Sequence, residues 1–336
     1  MDLVQPVPTA PARSARHAAV VLIALALGGL ALRALDQTGV PQVQTFLLIF
    51  SSLLIEALPF ILLGAVVSAG IEVFVPASAF ARLARLPGPL QMPVAGLGGF
   101  AFPVCECGSV PVARRLVAKG MSPAAAVTFM LAAPILNPVV LASTVIAYRG
   151  RAVMWPMVAG RAVLGLLVAM AVGWVIGSRS KGELLRARAD DHDHDPEPRV
   201  GARGRWRSFF GQLAGDFTML SRYLVIGAAV AAALQTFAPQ SIIDSVAETP
   251  VLGILAMMGL AGLLSLCSES DAFVAASFVQ FGVGAQLGFL VFGPMVDAKL
   301  GFLYAGTFTR GFVRTVVVTV AAATLAGAMW MEVLFG

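Results

Sequence analysis

Three thiols and three carboxyl groups stand inside otherwise apolar sequence at two places in this chain, PVCECGSVPVARRLVAKG (Pro103–Gly120) and LCSESDAFVAASF (Leu266–Phe278). The first gathers Cys105, Glu106, Cys107 and Ser109 around Gly108 and Pro111; the second offers Cys267, Ser268, Glu269, Ser270 and Asp271. Soft thiolates select thiophilic metals and metalloids, and mixed sulfur and carboxylate donors suit zinc. A charge at membrane depth costs at least ~2.5–3.5 kcal/mol on insertion scales, so Glu106, Glu269 and Asp271 mark either proton or cation handling or a buried ion pair. Two structural readings compete. A free cysteine packs as a small hydrophobe, and the three acids can pair with Arg114, Arg161 or Arg310 for structure alone. All three cysteines of the chain fall in these two stretches, which favours a site over a disulfide framework.

Two further breaks follow. Pro134-x-x-Asn137-Pro138 and Pro294-x-x-Asp297 interrupt the helices after each stretch. Proline removes a backbone donor and frees carbonyls, so Asn137 and Asp297 either bind substrate or satisfy that backbone. Ser143, Thr144, Thr307 and Thr309 read as packing hydroxyls. The tract DHDHD, with Asp191, His192, Asp193 and His194, has donors enough to hold a divalent metal loosely, although short acidic His tracts in loops are more often solvated linker. No phosphate-binding loop, HExxH pair or nucleophile elbow occurs, so the sequence supports neither ATP-driven pumping nor hydrolysis, and it calls for no cofactor.

The elements that must position these groups are membrane helices. Hydrophobic residues make up 58% of the chain and charged residues 12%, and several apolar runs reach the length that crosses a bilayer core of ~30 Å. The fold class is therefore all-α and polytopic, in a lipid bilayer; the net charge of +5 sits mostly in loops and reports topology, not nucleic-acid binding. Spans are expected at 18–35, 43–73, 122–148, 152–177, 209–238, 285–306 and 312–332. The pieces 91–104 and 109–118, joined by CECG, are each too short to cross and together read as a re-entrant hairpin; 250–266 and 271–281, joined by CSES, repeat that outline. The basic linker 178–207 belongs in the cytoplasm with the N-terminus, which leaves the C-terminus outside. Trp155, Trp174, Trp206, Trp330 and Tyr148 fall near span ends and are expected at the membrane interface.

The chain also repeats itself. GAVVSAGIEVFVP (Gly64–Pro76) matches GAAVAAALQTFAP (Gly227–Pro239) at an offset of 163, and AAPILN (Ala132–Asn137) answers FGPMVD (Phe292–Asp297) at 160. Between them the register is open: Cys105 pairs with Cys267 at 162, or Glu106 with Glu269 at 163. Each copy holds three crossings, an odd number that turns the second copy upside down, as in secondary transporters whose site lies between inverted repeats. The expected organisation is a tail and first helix over 1–42, repeat 1 over 43–177, the linker over 178–207 and repeat 2 over 208–336.

The stretch PVCECGSVPVARRLVAKGMSPAAAVTFMLAAPILNP resembles the signature of the predicted permease family of the ArsP/YraQ type, which includes the organoarsenical efflux permeases. CSESDAFVAASF and GPMVD resemble its second-half motifs. The resemblance covers about residues 43–325 and carries the family pattern onto Cys105, Cys107, Gly108, Pro111, Lys119, Gly120, Pro134, Asn137, Pro138, Cys267, Glu269, Asp271, Pro294 and Asp297. A small residue usually stands where this chain has Glu106, which makes the tip friendlier to cations. The expectation is a non-enzymatic, proton-coupled permease of a bacterial-type inner membrane that exports a small thiophilic solute such as a trivalent organoarsenical. Cys105, Cys107, Cys267, Asn137 and Ser109 would bind the solute, and Glu106, Glu269, Asp271 and Asp297 would couple it. A divalent-metal permease and a membrane thiol-redox protein are the alternatives, and self-association stays open.

Overall fold

Proline and capping residues decide where these helices begin and end. The computed structural model describes residues 41–74, 87–101, 104–177, 202–237 and 250–335. Every regular element among them is an α-helix: α1 Pro41–Phe74, α2 Gly88–Ala101, α3 Glu106–Ala118, α4 Pro123–Leu136, α5 Pro138–Ala147, α6 Met154–Ile176, α7 Ala202–Phe237, α8 Pro250–Leu264, α9 Asp271–Ser277, α10 Val283–Phe292, α11 Ala298–Thr307 and α12 Arg310–Phe335. Ser122 caps α4, whose first residue is Pro123, a position that wastes no backbone donor. Gly120, at φ 97°, makes the left-handed turn that ends α3 just before it. Asn137 then stops α4 and caps α5, accepting from the Val139 N–H at 3.0 Å. Asp297 does the same for α11, accepting from the Leu300 N–H at 2.6 Å.

Among the described residues, five helical stretches are long and apolar enough to cross a membrane: α1, α4 with α5, α6, most of α7, and α12. The protein is a polytopic helical membrane protein. Their outward sides carry large apolar residues such as Leu48, Ile55, Val163 and Leu167, as lipid contact requires. Trp155, Trp174, Trp206 and Trp330 are exposed, which accords with the interfacial placement expected of them, and Trp206 packs edge-on against Phe74 and Phe209. Tyr148 departs from that expectation. It is fully buried and donates to Gln286 Oε1 at 2.8 Å, because Gln286 must spend its amide on the Phe278 and Phe281 carbonyls left free after α9. Helix α7 starts at Ala202, so residues 202–207 of the expected linker are helical. The expected first span 18–35 and the DHDHD tract lie outside the described residues.

Among the described residues, six helices over 41–176 are answered by six over 202–335. Packing repeats as well: α2, α4 and α6 form a run of neighbours, as do α8, α10 and α12. The halves join through α1 against α7, α6 against α12, and two reciprocal contacts, α3 with α11 and α9 with α5. One exchange breaks the pattern. In the first half α1 lies on α3, where a Cβ at Gly64 would run into the Gly108 backbone; in the second, α7 lies on α11, where a Cβ at Gly227 would come within 2.8 Å of Lys299 Cα. Helix α9 has 7 residues against 13 in α3.

Candidate functional site

The two sulfur-bearing stretches form the starts of α3 and α9, and their backbones match. Cys105 O accepts from the N–H groups of Gly108 and Ser109, and Cys267 O accepts from those of Ser270 and Asp271, each at three and four residues on. In these bonds Cys105 corresponds to Cys267, at 162, although α3 begins directly after Cys105 and α9 only after Ser270. Ser265 enters the second turn at φ 49°, a left-handed conformation uncommon for a residue with a side chain. Its hydroxyl donates to Gly262 O at 3.2 Å and accepts from Ala298 N at 3.2 Å, tying the turn to the start of α11.

Where the turns meet, Ser268 Oγ donates to Glu106 Oε2 at 2.9 Å. These two residues are 162 apart, the same spacing as Cys105 and Cys267. Glu106 Oε1 lies 3.1 Å from Lys299 Nζ, with Asp297 Oδ2 3.9 Å from the same ammonium. The Cys267 thiol donates to Glu269 Oε2 at 2.7 Å, and Ser270 donates to Glu56 Oε1 at 3.1 Å. Glu106, Cys105, Cys107 and Cys267 are all buried, and no disulfide joins the cysteines. Leu53, Glu56, Ala57 and Phe60 of α1 close a pocket over Cys105, Glu106, Cys107, Cys267 and Lys299. It leaves about 10 Å³ for a water-sized sphere, room for a single water or bare ion.

A second ion pair crosses between the halves beside this pocket. Arg161 of α6, with no exposure, donates to Asp271 Oδ2 at 2.7 Å, to Ser268 O at 3.1 Å and to Thr144 Oγ1 at 2.9 Å. Asp271 is thus held by one of the arginines that the sequence offered as a structural partner, while Glu106 and Glu269 are not. At the far end of α3, Arg115 reaches Gln212, Asp216 and Glu72, and Lys119 donates to the Ile71 and Glu72 carbonyls that end α1.

The expected site residues therefore divide. Cys105, Cys107, Cys267, Glu106 and Glu269 come together. Ser109 does not join them: its hydroxyl turns back onto Glu106 O at 3.0 Å, as a hydroxyl in a helix's first turn readily does. Asn137 spends its side-chain oxygen on capping α5, and Asp297 spends one oxygen on α11 while the other faces Lys299. Pro134 lies in the last turn of α4 and Pro138 opens α5, whereas the break expected at Pro111 does not occur, since α3 runs through it unbroken; Gly108 is the point where α1 touches α3. His192, His194, Asp191 and Asp193 lie outside the described residues. Sequence reasoning passed over Lys299 and Glu56, although an ammonium in DAKLGFLYAGT and a carboxylate in SSLLIEALPF are as costly at membrane depth as the acids it singled out.

Comparison with known proteins gives a concordant picture. The family ArsP_1, described as "Predicted permease", matches residues 42–333. "UPF0718 protein YcgR" of Bacillus subtilis (strain 168) is 39% identical over 285 residues, which span 84% of this chain and 96% of that protein. A "Putative two-component membrane permease complex subunit" of Streptococcus mutans serotype c is 36% identical over 272 residues, 80% of this chain and 88% of its own. No solved structure matches.

Proposed function

The chain belongs to the ArsP_1 family of predicted permeases, and from that premise we propose that it is a secondary permease of a bacterial cytoplasmic membrane exporting a small thiophilic solute. The observation that carries this reading is the convergence of Cys105 and Cys107 from one half and Cys267 from the other on one enclosed pocket lined by charged groups. A thiophilic solute such as a trivalent organoarsenical would exchange its labile ligands for these sulfurs. The two halves lie inverted to each other, with α2–α3 and α8–α9 as re-entrant hairpins whose tips meet near mid-membrane. Rocking of one half against the other around fixed tips opens the pocket alternately to each side. No step makes or breaks a covalent bond of the solute's carbon framework, so the protein acts as a carrier and not as an enzyme.

Proton coupling falls to the carboxyl groups that lack an arginine partner among the described contacts, Glu269 first, with Glu106 and Asp297 beside Lys299. A second reading, a divalent-metal permease, is favoured by one observation: donor atoms of Glu106, Cys267 and Glu269 lie within 4.8 Å of one another. The Streptococcus relative is described as a complex subunit, and a second membrane component belongs to this proposal as well.

Solute flux in proteoliposomes tests the reading. With methylarsenite as solute, an imposed pH difference is expected to accelerate flux by the wild type. Glu269→Gln should ignore the pH difference yet still exchange solute down its own gradient, and Cys105→Ser with Cys107→Ser should abolish both. Full flux in the double cysteine variant would return those thiols to packing, and a wild type indifferent to pH would remove the proton from the mechanism.

A further inference from the structure

Charge around the pocket does not balance. Arg161 and Asp271 neutralise each other, but Glu56, Glu106, Glu269 and Asp297 share one ammonium, that of Lys299. Lys299 also has two seats within reach. It sits 3.1 Å from Glu106 Oε1, and Asp297 Oδ2, 3.9 Å away, is buried and accepts no hydrogen bond among the described residues. The other Asp297 oxygen is fixed by the Leu300 N–H, so the carboxylate cannot turn away. Gly227 holds α7 against the backbone of Lys299 and so sets the depth from which the side chain reaches.

We propose that Lys299 is a tethered counter-cation that occupies Glu106 while the site is empty, and that the site's own load is a soft divalent cation held by Glu106, Cys267 and Glu269. This rests on the permease reading and narrows its solute class. The three donors supply one sulfur and two carboxylate oxygens from both halves, a set that suits zinc or cadmium and that a hard ion seeking only oxygen would not select. The space left in the pocket matches an ion stripped of water and excludes a larger solute unless the halves part. On binding, the metal–sulfur bond replaces the S–H bond of Cys267, whose proton leaves to solvent, and the ammonium moves from Glu106 to Asp297. The positive charge of the load is thereby exchanged against a charge that the protein never releases. An incoming ion must displace Lys299, so the wild-type site binds less tightly than its ligands alone would, which lets the load leave again on the far side.

Binding of Cd²⁺ to the purified full-length protein in detergent, with no gradient present, tests this directly. The ultraviolet charge-transfer band of a cadmium–thiolate bond should appear on titration of the wild type and vanish in Cys267→Ser. In Lys299→Met the same band should appear at a concentration at least tenfold lower, because the competing cation is gone. Should that variant fail to purify with Glu106 left unpaired, Lys299→Gln keeps an amide donor for Glu106 and carries the same expectation. Equal or weaker Cd²⁺ binding in a folded Lys299 variant overturns the tethered-cation role, and an unchanged band in Cys267→Ser overturns the site. Loss of Cd²⁺ binding alongside intact methylarsenite flux would remove this inference and leave the permease reading standing; binding without flux of either solute would do the reverse.

Discussion

Asp271→Asn is isosteric, and from the sequence alone it should spare the fold, since it takes a charge out of an apolar setting. Arg161 reverses that expectation. Its guanidinium is fully enclosed, and Asp271 is the carboxylate it contacts, at 2.7 Å, so the amide would leave a buried cation held by Thr144 Oγ1 and Ser268 O without a counter-charge among the described residues. Two unit charges at 2.7 Å attract by about 6 kcal/mol at an effective dielectric of 20. Desolvation of both ions offsets part of this, and removing one partner of a buried pair costs about 3–5 kcal/mol. Each single variant, Asp271→Asn and Arg161→Met, is therefore expected to lose that much stability. The double variant should lose far less than the sum, because the second change removes a charge already stranded by the first; a coupling of about 3 kcal/mol is expected. The loss of the Thr144 and Ser268 bonds enters both Arg161 variants and cancels in the cycle. Equilibrium unfolding by dodecyl sulfate in mixed micelles, followed by far-ultraviolet circular dichroism, measures all four proteins. Additive losses, with a coupling below ~1 kcal/mol, would show that the pair is not the clamp between α6 and α9 argued from its geometry.

Other expectations follow from single contacts. Gly227→Ala places a Cβ within 2.8 Å of Lys299 Cα and should cost about 1–3 kcal/mol in the same unfolding assay, whereas Gly211→Ala on the same helix meets nothing within 4 Å and should be neutral or stabilising; equal effects would refute the close approach. Lys119→Met removes two hydrogen bonds to the carbonyls ending α1 and should cost about 1.5–3 kcal/mol, with a loss under ~0.5 showing that water replaces the ammonium. For topology, Ser180→Cys should react with an impermeant maleimide from the cytoplasmic side and Ser245→Cys from the opposite side, and labelling of both from one side would sink the inverted arrangement.

The fold was largely legible because helices that face lipid must be apolar along their whole length. Spans 43–73, 152–177 and 312–332 lie within α1, α6 with its flanks, and α12 to within a few residues. The span 285–306 proved to be two helices, α10 and α11, parted at Gly293–Asp297 where Pro294 and Asp297 had marked a break. The tips were harder. Sequence placed CECG in a turn, but helix α3 resumes at Glu106, so the carboxylate, Cys107 and Gly108 belong to its first turn. Lys299 escaped because its meaning depends on Glu106, a partner nearly two hundred residues away, and no periodicity in DAKLGFLYAGT announces which way an ammonium will point. The register, open on residue identity, is favoured at 162 by the backbone bonds of Cys105 and Cys267, a correspondence that residue types alone could not carry.

The hydrogen bond between Ser268 and Glu106 has a bearing on how such a chain arises. In the inverted arrangement proposed above, counterparts that touch each other lie on the axis relating the halves, and an assembly of two identical chains would be compelled to put the same side chain on both sides of it. Two glutamates there would repel in a dry interior, and two serines would offer Lys299 no anion. Joining both copies in one polypeptide lifts that compulsion: one copy keeps the acid and the other supplies its donor. A version of this protein made from two copies of either half could reproduce the scaffold, but it would lose the unequal pair at its centre.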